Sequence, residues 1–295
     1  MSTESRAQKI AHFDPNAPGD TAAGGLFGLP FTLDDAQVVV VPVPWEVTVS
    51  YRAGTAQGPA AIRDASLQVD LYDPDLPDAW KLGLAMEEED EAIAKMSRDL
   101  RPLAAGYIGW LENGQAVEGA GQHGLAPARV NTAGDKLLQW LKQKTGALLD
   151  AGKLVAVLGG DHSTPLGFLQ ALAERHADGF GILQFDAHCD LRPAYEGFQY
   201  SHASIMYNAL QLPQVKKLVQ VGIRDMCQQE ADLIEHSVGR VALFGQRFMS
   251  DEKFAKKSWK KVCGKIIAQL PQKVYISFDI DGLDPKLCPG CSMPP

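Results

Sequence analysis

The chain has 295 residues, a formal net charge of −8, 45% hydrophobic and 22% charged residues, and five cysteines. That balance excludes disordered, fibrous and collagen-like chains. It also argues against a nucleic-acid binder, whose phosphate contacts draw on clustered Lys and Arg. The one basic run, Lys253, Lys256, Lys257, Lys260 and Lys261, reads as the solvated face of a helix. No apolar stretch approaches the roughly 20 residues of a membrane-spanning helix. The opening segment is polar and unlike a signal peptide. The cysteines show no disulfide-framework spacing, so reduced thiols and a cytoplasmic location are expected.

Residues 1–35 are rich in Gly, Pro and Ala without a clear period and read as an N-terminal arm. The run Val38-Val-Val-Val-Pro-Val predicts a buried strand, followed by a loop over Tyr51–Pro59 and a helix opening near Pro59. Residues 87–130, with an acidic start and a Gly-rich end, read as an insertion or loose edge element. From Gly134 the pattern alternates. A helix over 134–151 leads to strand Leu154–Leu158, and a helix with Thr164 as N-cap follows. Next come strand Gly181–His188, a helix from about 202, strand Leu218–Ile223 and a further helix. Strand Val241–Phe244, helix 251–269 and strand Val274–Asp281 complete the series. Alternation of this kind predicts one α/β domain over 36–295, with a mainly parallel sheet covered by helices on both faces. Ligands of such sheets bind at the carboxyl ends of the strands.

Three strand ends carry acids and imidazoles: Gly159-Gly160-Asp161-His162, Asp186-Ala187-His188-Cys189-Asp190 and Asp279-Ile280-Asp281-Gly282-Leu283-Asp284. In extended chain, alternate residues share a side. Asp186, His188 and Asp190 therefore converge, with Ala187 and Cys189 pointing away. Asp279 and Asp281 likewise share a side, with Phe278 and Ile280 on the core-facing one. Four carboxylates and two imidazoles at one sheet edge would repel strongly without cations. Two divalent ions balance the four Asp charges, and an N/O donor set without thiolate suits Mn²⁺. Paired metals lower the pKa of a shared water, so the chemistry expected is hydrolysis. Asp161, Ser163 and Asp284 are expected to support ligands or turns by hydrogen bonding, and Asp225 to cap a helix. His12, His123, His176 and His236 have no companions. Cys288 and Cys291 form a single pair with no second pair to complete a zinc site.

Gly-Gly-Asp-His-Ser at 159–163, Asp-Ala-His-Cys-Asp at 186–190 and Ser-Phe-Asp-Ile-Asp-Gly-Leu-Asp-Pro at 277–285 resemble the three signatures of the ureohydrolase family. That family comprises arginases, agmatinases, guanidinobutyrases and formimidoylglutamases. The resemblance implies a three-layer αβα sandwich and assembly as homo-trimers or hexamers. It implies that His162, Asp186, Asp190 and Asp279 hold one manganese, and Asp186, His188, Asp279 and Asp281 the other. The segment 190–204, with Asp-Leu-Arg and Tyr-Ser-His-Ala, is most similar to agmatinases, as is Ser50–Arg63. His202 then matches the family's proton shuttle to the leaving amine, and Asp281 or a neighbouring carboxylate relays the nucleophile's proton. The implied reaction is attack of a metal-bridging hydroxide on a guanidino carbon, with release of urea. A small cationic guanidino compound is the expected partner, agmatine giving putrescine being the first choice. Pro289-Gly290-Cys291-Ser292 instead resembles the corresponding loop of formimidoylglutamases, which release formamide. The family pattern continues past this loop whereas this sequence stops at Pro295. Two alternatives therefore stand beside the enzyme reading, a truncated C-terminal part and a non-catalytic metal-binding subunit.

Overall fold

The computed structural model describes residues 4–19, 25–115, 121 and 123–286. By its internal contacts the chain divides into two compact units, Met1–Phe168 and Leu169–Pro295. No described helix is long and apolar enough to cross a membrane.

In the first unit, α1 (Arg6–His12) is closed by a capping box at Ser5 and Gln8. The strand β1 (Val38–Val43) follows, buried from Val39 onward. The helix α2 (Gly58–Ser66) starts at the predicted place, with Pro59 in its first turn. A short strand β2 (Leu84–Met86) precedes two long helices, α3 (Glu91–Glu112) and α4 (Ala126–Asp150), and then β3 (Leu154–Gly159). The sheet has the order β2-β1-β3, and both pairings are parallel. Leu29, Phe31, Ala36, Trp80 and Ala85 form one of its core clusters, against which Ile10 and Phe13 pack. The Phe13 and Trp80 rings lie 5.1 Å apart. Residues of the N-terminal arm thus contribute buried apolar surface.

The region 87–130 departs from expectation, because much of it is regular helix. Asp90 caps α3 through the amides of Ala92 and Ile93, and its other carboxylate oxygen accepts the indole N–H of Trp140 on α4. Ile93, Ala94, Ser97, Leu100, Ala104, Tyr107 and Ile108 are buried at helical spacing. Pro102 and two glycines, Gly106 and Gly109, obscure that period in the sequence. Buried packing outweighs their poor helix propensity.

The helix α5 (Leu166–Arg175) leads into the second unit. There follow β4 (Phe180–Phe185), α6 (Ile205–Leu210), β5 (Val215–Val221), α7 (Gln228–His236) and β6 (Val241–Phe244). Then come α8 (Gln246–Phe254), α9 (Trp259–Ile267) and β7 (Val274–Phe278). The order is β6-β5-β4-β7, again wholly parallel. Val219 and Val221 of β5 pack on Val262 and Ile266 of α9, with Leu183 and Phe185 of β4 beside them. The predicted helix 251–269 is two helices. Lys256 adopts φ +55°, and the amides of Lys256 and Lys257 return to the carbonyls of Lys253 and Glu252. That is the Schellman pattern which ends α8, so the basic run is exposed but straddles a helix break. Asp225 caps no helix. The N-cap of α7 is Cys227, and Asp225 pairs with His188 in an isolated parallel bridge.

Both acidic strands are shorter than expected. β4 ends at Phe185, before Asp186, and β7 ends at Phe278. Phe278 shares the apolar face of its register partner Phe185, their rings 5.6 Å apart, but Phe278 and Ile280 are not buried: they are 54% and 60% exposed. β7 is the edge of its sheet, and the chain turns into a 3-10 helix (Ile280–Gly282) immediately beyond it.

Candidate metal centre

Within the second unit the ends of β4 and β7 are joined by a hydrogen bond from the Asp279 amide to the Phe185 carbonyl, 2.9 Å. Asp186, which leaves β4, is 1% exposed, and its amide donates to the Val221 carbonyl. Its Oδ1 accepts the His188 amide at 2.8 Å, and its Oδ2 accepts Nε2 of Gln184 at 2.8 Å. The Asp279 carboxylate caps the following 3-10 turn by accepting the Asp281 amide at 3.0 Å. That turn swings Asp281 back toward the β4 end. Asp281 Oδ1 accepts the Ala187 amide at 3.1 Å, and Oδ2 lies 3.0 Å from His188 Nδ1. Such proximity requires glycine at 282, where a Cβ would lie 2.9 Å from the Asp186 nitrogen.

The outcome is a cluster in which ligand atoms of Asp186, His188 and Asp281 all lie within 4.8 Å of one another. Asp190 brings a carboxylate oxygen equally close to Asp186. Hydrogen bonding to the Asp186 carboxylate, and then to Asp281, pushes the His188 imidazole up to about 11. The field that holds a proton on His188 is the field a cation would answer. Carboxylate oxygens with an imidazole nitrogen, in so small a volume, fit a hard or borderline divalent ion. Ala187 and Cys189 are fully buried. Burial pushes the Cys189 thiol well above its ordinary value.

Convergence does not come from continued extended chain. Asp190 sits at φ +54°, a left-handed conformation that Asp tolerates better than most residues. Its carbonyl accepts the amides of Met206 and Tyr207, 3.0 and 3.1 Å. The next amide, Leu191, donates to Oε1 of buried Glu230 at 3.0 Å, while Oε2 accepts the Cys227 amide at 2.9 Å. Arg224 donates to the carbonyls of Asp281, Gly282 and Leu283. Sequence reading missed Glu230 and Arg224, whose roles come from backbone groups that no motif encodes. The missed Gln184 and Gln220 did carry a signal, a polar residue inside each apolar strand run.

His202 opens a 3-10 helix (His202–Ser204) capped by the Ser201 hydroxyl. Ser201 Oγ lies 3.4 Å from His202 Nδ1, and the Tyr195 ring meets the imidazole edge-on at 6.0 Å. Arg192 lies 5.0 Å over the Tyr195 ring. Between Asp190 and His202 the chain makes a tight turn with Glu196 and Gly197 both at positive φ, closed by mutual bonds of Tyr195 and Phe198.

His162 belongs to the first unit, where it follows β3. The Gly160 amide donates to the Val43 carbonyl and the Asp161 amide to that of Trp45, 3.1 and 2.7 Å. A Cβ on Gly160 would lie 1.9 Å from the Trp45 oxygen, so only glycine fits there. The expected support is present, since Asp161 Oδ1 accepts both the amide and the hydroxyl of Ser163. Burial pushes the Asp161 carboxyl up to about 6 against those bonds. The Thr164 hydroxyl donates to the Asp161 carbonyl. Asp284 accepts the Lys286 amide and shapes a turn. Cys288, Cys291 and the Pro289–Ser292 loop lie outside the described residues.

The sequence profile of the Arginase family matches residues 36–295. The chain belongs to the arginase family, and it is a hydrolase of that family. It is similar to the N(1)-aminopropylagmatine ureohydrolase of Synechocystis sp., 31% identical over 260 residues, covering 88% of this chain and 72% of that protein. The agmatine ureohydrolase of Thermoplasma volcanium has a similar structure, with a TM-score of 0.65 at 22% identity, covering 98% of this chain and 79% of that one. Trypanosoma cruzi formiminoglutamase with Mn²⁺ also has a TM-score of 0.65, at 19% identity and 91% and 78% coverage. Both structures share the α/β fold of parallel sheets with flanking helices.

The two amides that end on Glu230 make this carboxylate a test of the Asp190 turn. Glu230→Ala leaves both donors without their acceptor, and we expect a loss of about 3 kcal/mol in unfolding free energy. Chemical denaturation checks this, and an unchanged midpoint would contradict it.

Proposed function

We propose that the chain hydrolyses the C–N bond of a guanidino compound with a cationic tail, of the agmatine type, and releases urea. The observation that carries this reading is the Asp186–His188–Asp281 cluster in a chain of the arginase family. His162, Asp190 and Asp279 would complete a two-ion ligand set, with Mn²⁺ the preferred metal. Bound there, the ions supply Lewis acidity and a water acidified toward neutral pH. Asp281 takes up the proton that the attacking water loses. His202 protonates the departing amine, its ring steadied by Ser201 and Tyr195.

Two observations favour a cationic tail. The net charge of −8 attracts cations over distance, and the Synechocystis relative is named for an aminopropyl derivative of agmatine. With this reading go a homo-oligomeric assembly, trimer or hexamer, and a reducing cytoplasm, in keeping with the free thiols Cys189, Cys227 and Cys263.

Urea and formamide should be measured after Mn²⁺ loading on a panel of agmatine, N(1)-aminopropylagmatine, 4-guanidinobutyrate, arginine and N-formimidoylglutamate. Urea from agmatine or its aminopropyl derivative is the expected result. Urea from 4-guanidinobutyrate or arginine alone would overturn the cationic tail. Formamide from N-formimidoylglutamate would overturn the guanidino substrate, and no product from any compound would overturn the enzymatic reading.

His202→Asn is expected to lower kcat about 100-fold or more, as loss of a positioned general acid does, with metal content unchanged. Wild-type turnover in this variant would remove His202 from the reaction.

A further inference from the structure

Below the acidic loop of the second unit lies a row of buried polar side chains that no motif explains. Gln184 on β4 is in register with Gln220 on β5 and with Ser277 on β7. Both glutamines are 0% exposed and Ser277 is 3% exposed. Strands buried on both faces are normally apolar throughout, and a buried amide is costly unless hydrogen-bonded. These side chains point away from the apolar layer that Leu183, Phe185, Val219 and Val221 form with α9.

The hydrogen bonds have one direction. Gln220 Nε2 donates to Gln184 Oε1 at 2.7 Å and to the Cys189 carbonyl at 2.8 Å. Gln184 Nε2 donates to Asp186 Oδ2 at 2.8 Å and to the His188 carbonyl at 3.2 Å. All four amide hydrogens of the pair are used. One goes from Gln220 to Gln184, and three reach Asp186, His188 and Cys189. The oxygen of Gln184 is committed to Gln220, which fixes which end of its amide faces Asp186. Among the described residues Gln220 Oε1 has no hydrogen-bond partner, so the pair carries a cost with no return inside the sheet.

We infer that Gln184 and Gln220 are positioning residues for the metal centre: a two-amide relay that fixes the Asp186 carboxylate and the loop behind His188 in ligating orientation. Neutral amides suit this task. A Lys or Arg at 184 would orient Asp186 equally well but would cancel the charge a cation needs. A carboxylate there would repel Asp186. Partners of this kind typically change metal affinity 10–100-fold when removed. The inference rests on the metal-binding reading given under Proposed function.

The test is Mn²⁺ binding to the metal-depleted full chain by calorimetric titration, with thermal stability measured alongside. Wild type, Gln184→Leu, Gln220→Leu and the double variant are compared. Gln184→Leu should weaken Mn²⁺ binding 10–100-fold, and Gln220→Leu less, because Gln184 keeps its bond to Asp186. The double variant separates positioning from packing. It replaces both amides by apolar groups, leaving no half-satisfied pair, so stability should recover toward wild type while Mn²⁺ affinity stays low. A double variant that regains both would reduce the pair to packing and overturn the inference. Wild-type affinity in Gln184→Leu would do the same. Wild-type protein that binds no Mn²⁺ would overturn the metal reading itself.

Discussion

Carboxylates of like charge cannot share one sheet edge unless something answers their field, and the second unit meets that constraint with neutral donors. Asp186 receives the His188 amide and the Gln184 side chain. Asp279 receives the Asp281 amide, and Asp281 the Ala187 amide. The His188 imidazole is a charged partner when protonated, and hydrogen bonding to Asp186 and Asp281 raises its pKa. Arg224, the nearby cation, is bound to backbone carbonyls of the Asp281–Leu283 turn. Backbone and side-chain amides thus orient the carboxylates at this edge, an arrangement suited to a site that takes up cations.

The same constraint accounts for departures from regular structure. Extended chain past Phe185 and Phe278 would keep the two acidic segments parallel and apart. The 3-10 turn after Asp279 and the left-handed Asp190 instead fold both segments inward. Backbone strain of this kind persists where the surroundings over-determine it. Here Glu230, Met206 and Tyr207 hold both the carbonyl and the amide of the peptide that follows Asp190. Glycine at 282 permits the resulting close approach to Asp186.

The chemistry was more legible in the sequence than the geometry that delivers it. Strands alternating with helices from Gly134 onward were evident because buried parallel strands are short apolar runs between amphipathic helices. The acids and imidazoles were evident because they recur at strand ends. Alternation along an extended strand grouped Asp186 with His188 and Asp190, whereas in the structure turns bring carboxylate oxygens of Asp190 and Asp281 near Asp186. It did not foresee that Phe278 and Ile280, at a sheet edge, would stay exposed. α3 was hidden by Pro102, Gly106 and Gly109, because its helical state depends on packing against α4. The Schellman end of α8 rests on Lys256 at positive φ, which carries no glycine signal. Gln184 and Gln220 were visible only as interruptions in apolar runs, and their use depends on strand register, which a single sequence does not reveal.

The turn of Asp279 and the bend of Asp190 gather donor atoms at one sheet edge, and the proposed function rests on that gathering. The central claim is that this edge holds two metal ions close together, and electron paramagnetic resonance of the Mn²⁺-loaded protein, with metal content determined on the same sample, tests it most directly. The account predicts two manganese ions per chain and the spectrum of a spin-coupled pair. A single ion with the hyperfine pattern of isolated Mn²⁺ would contradict it.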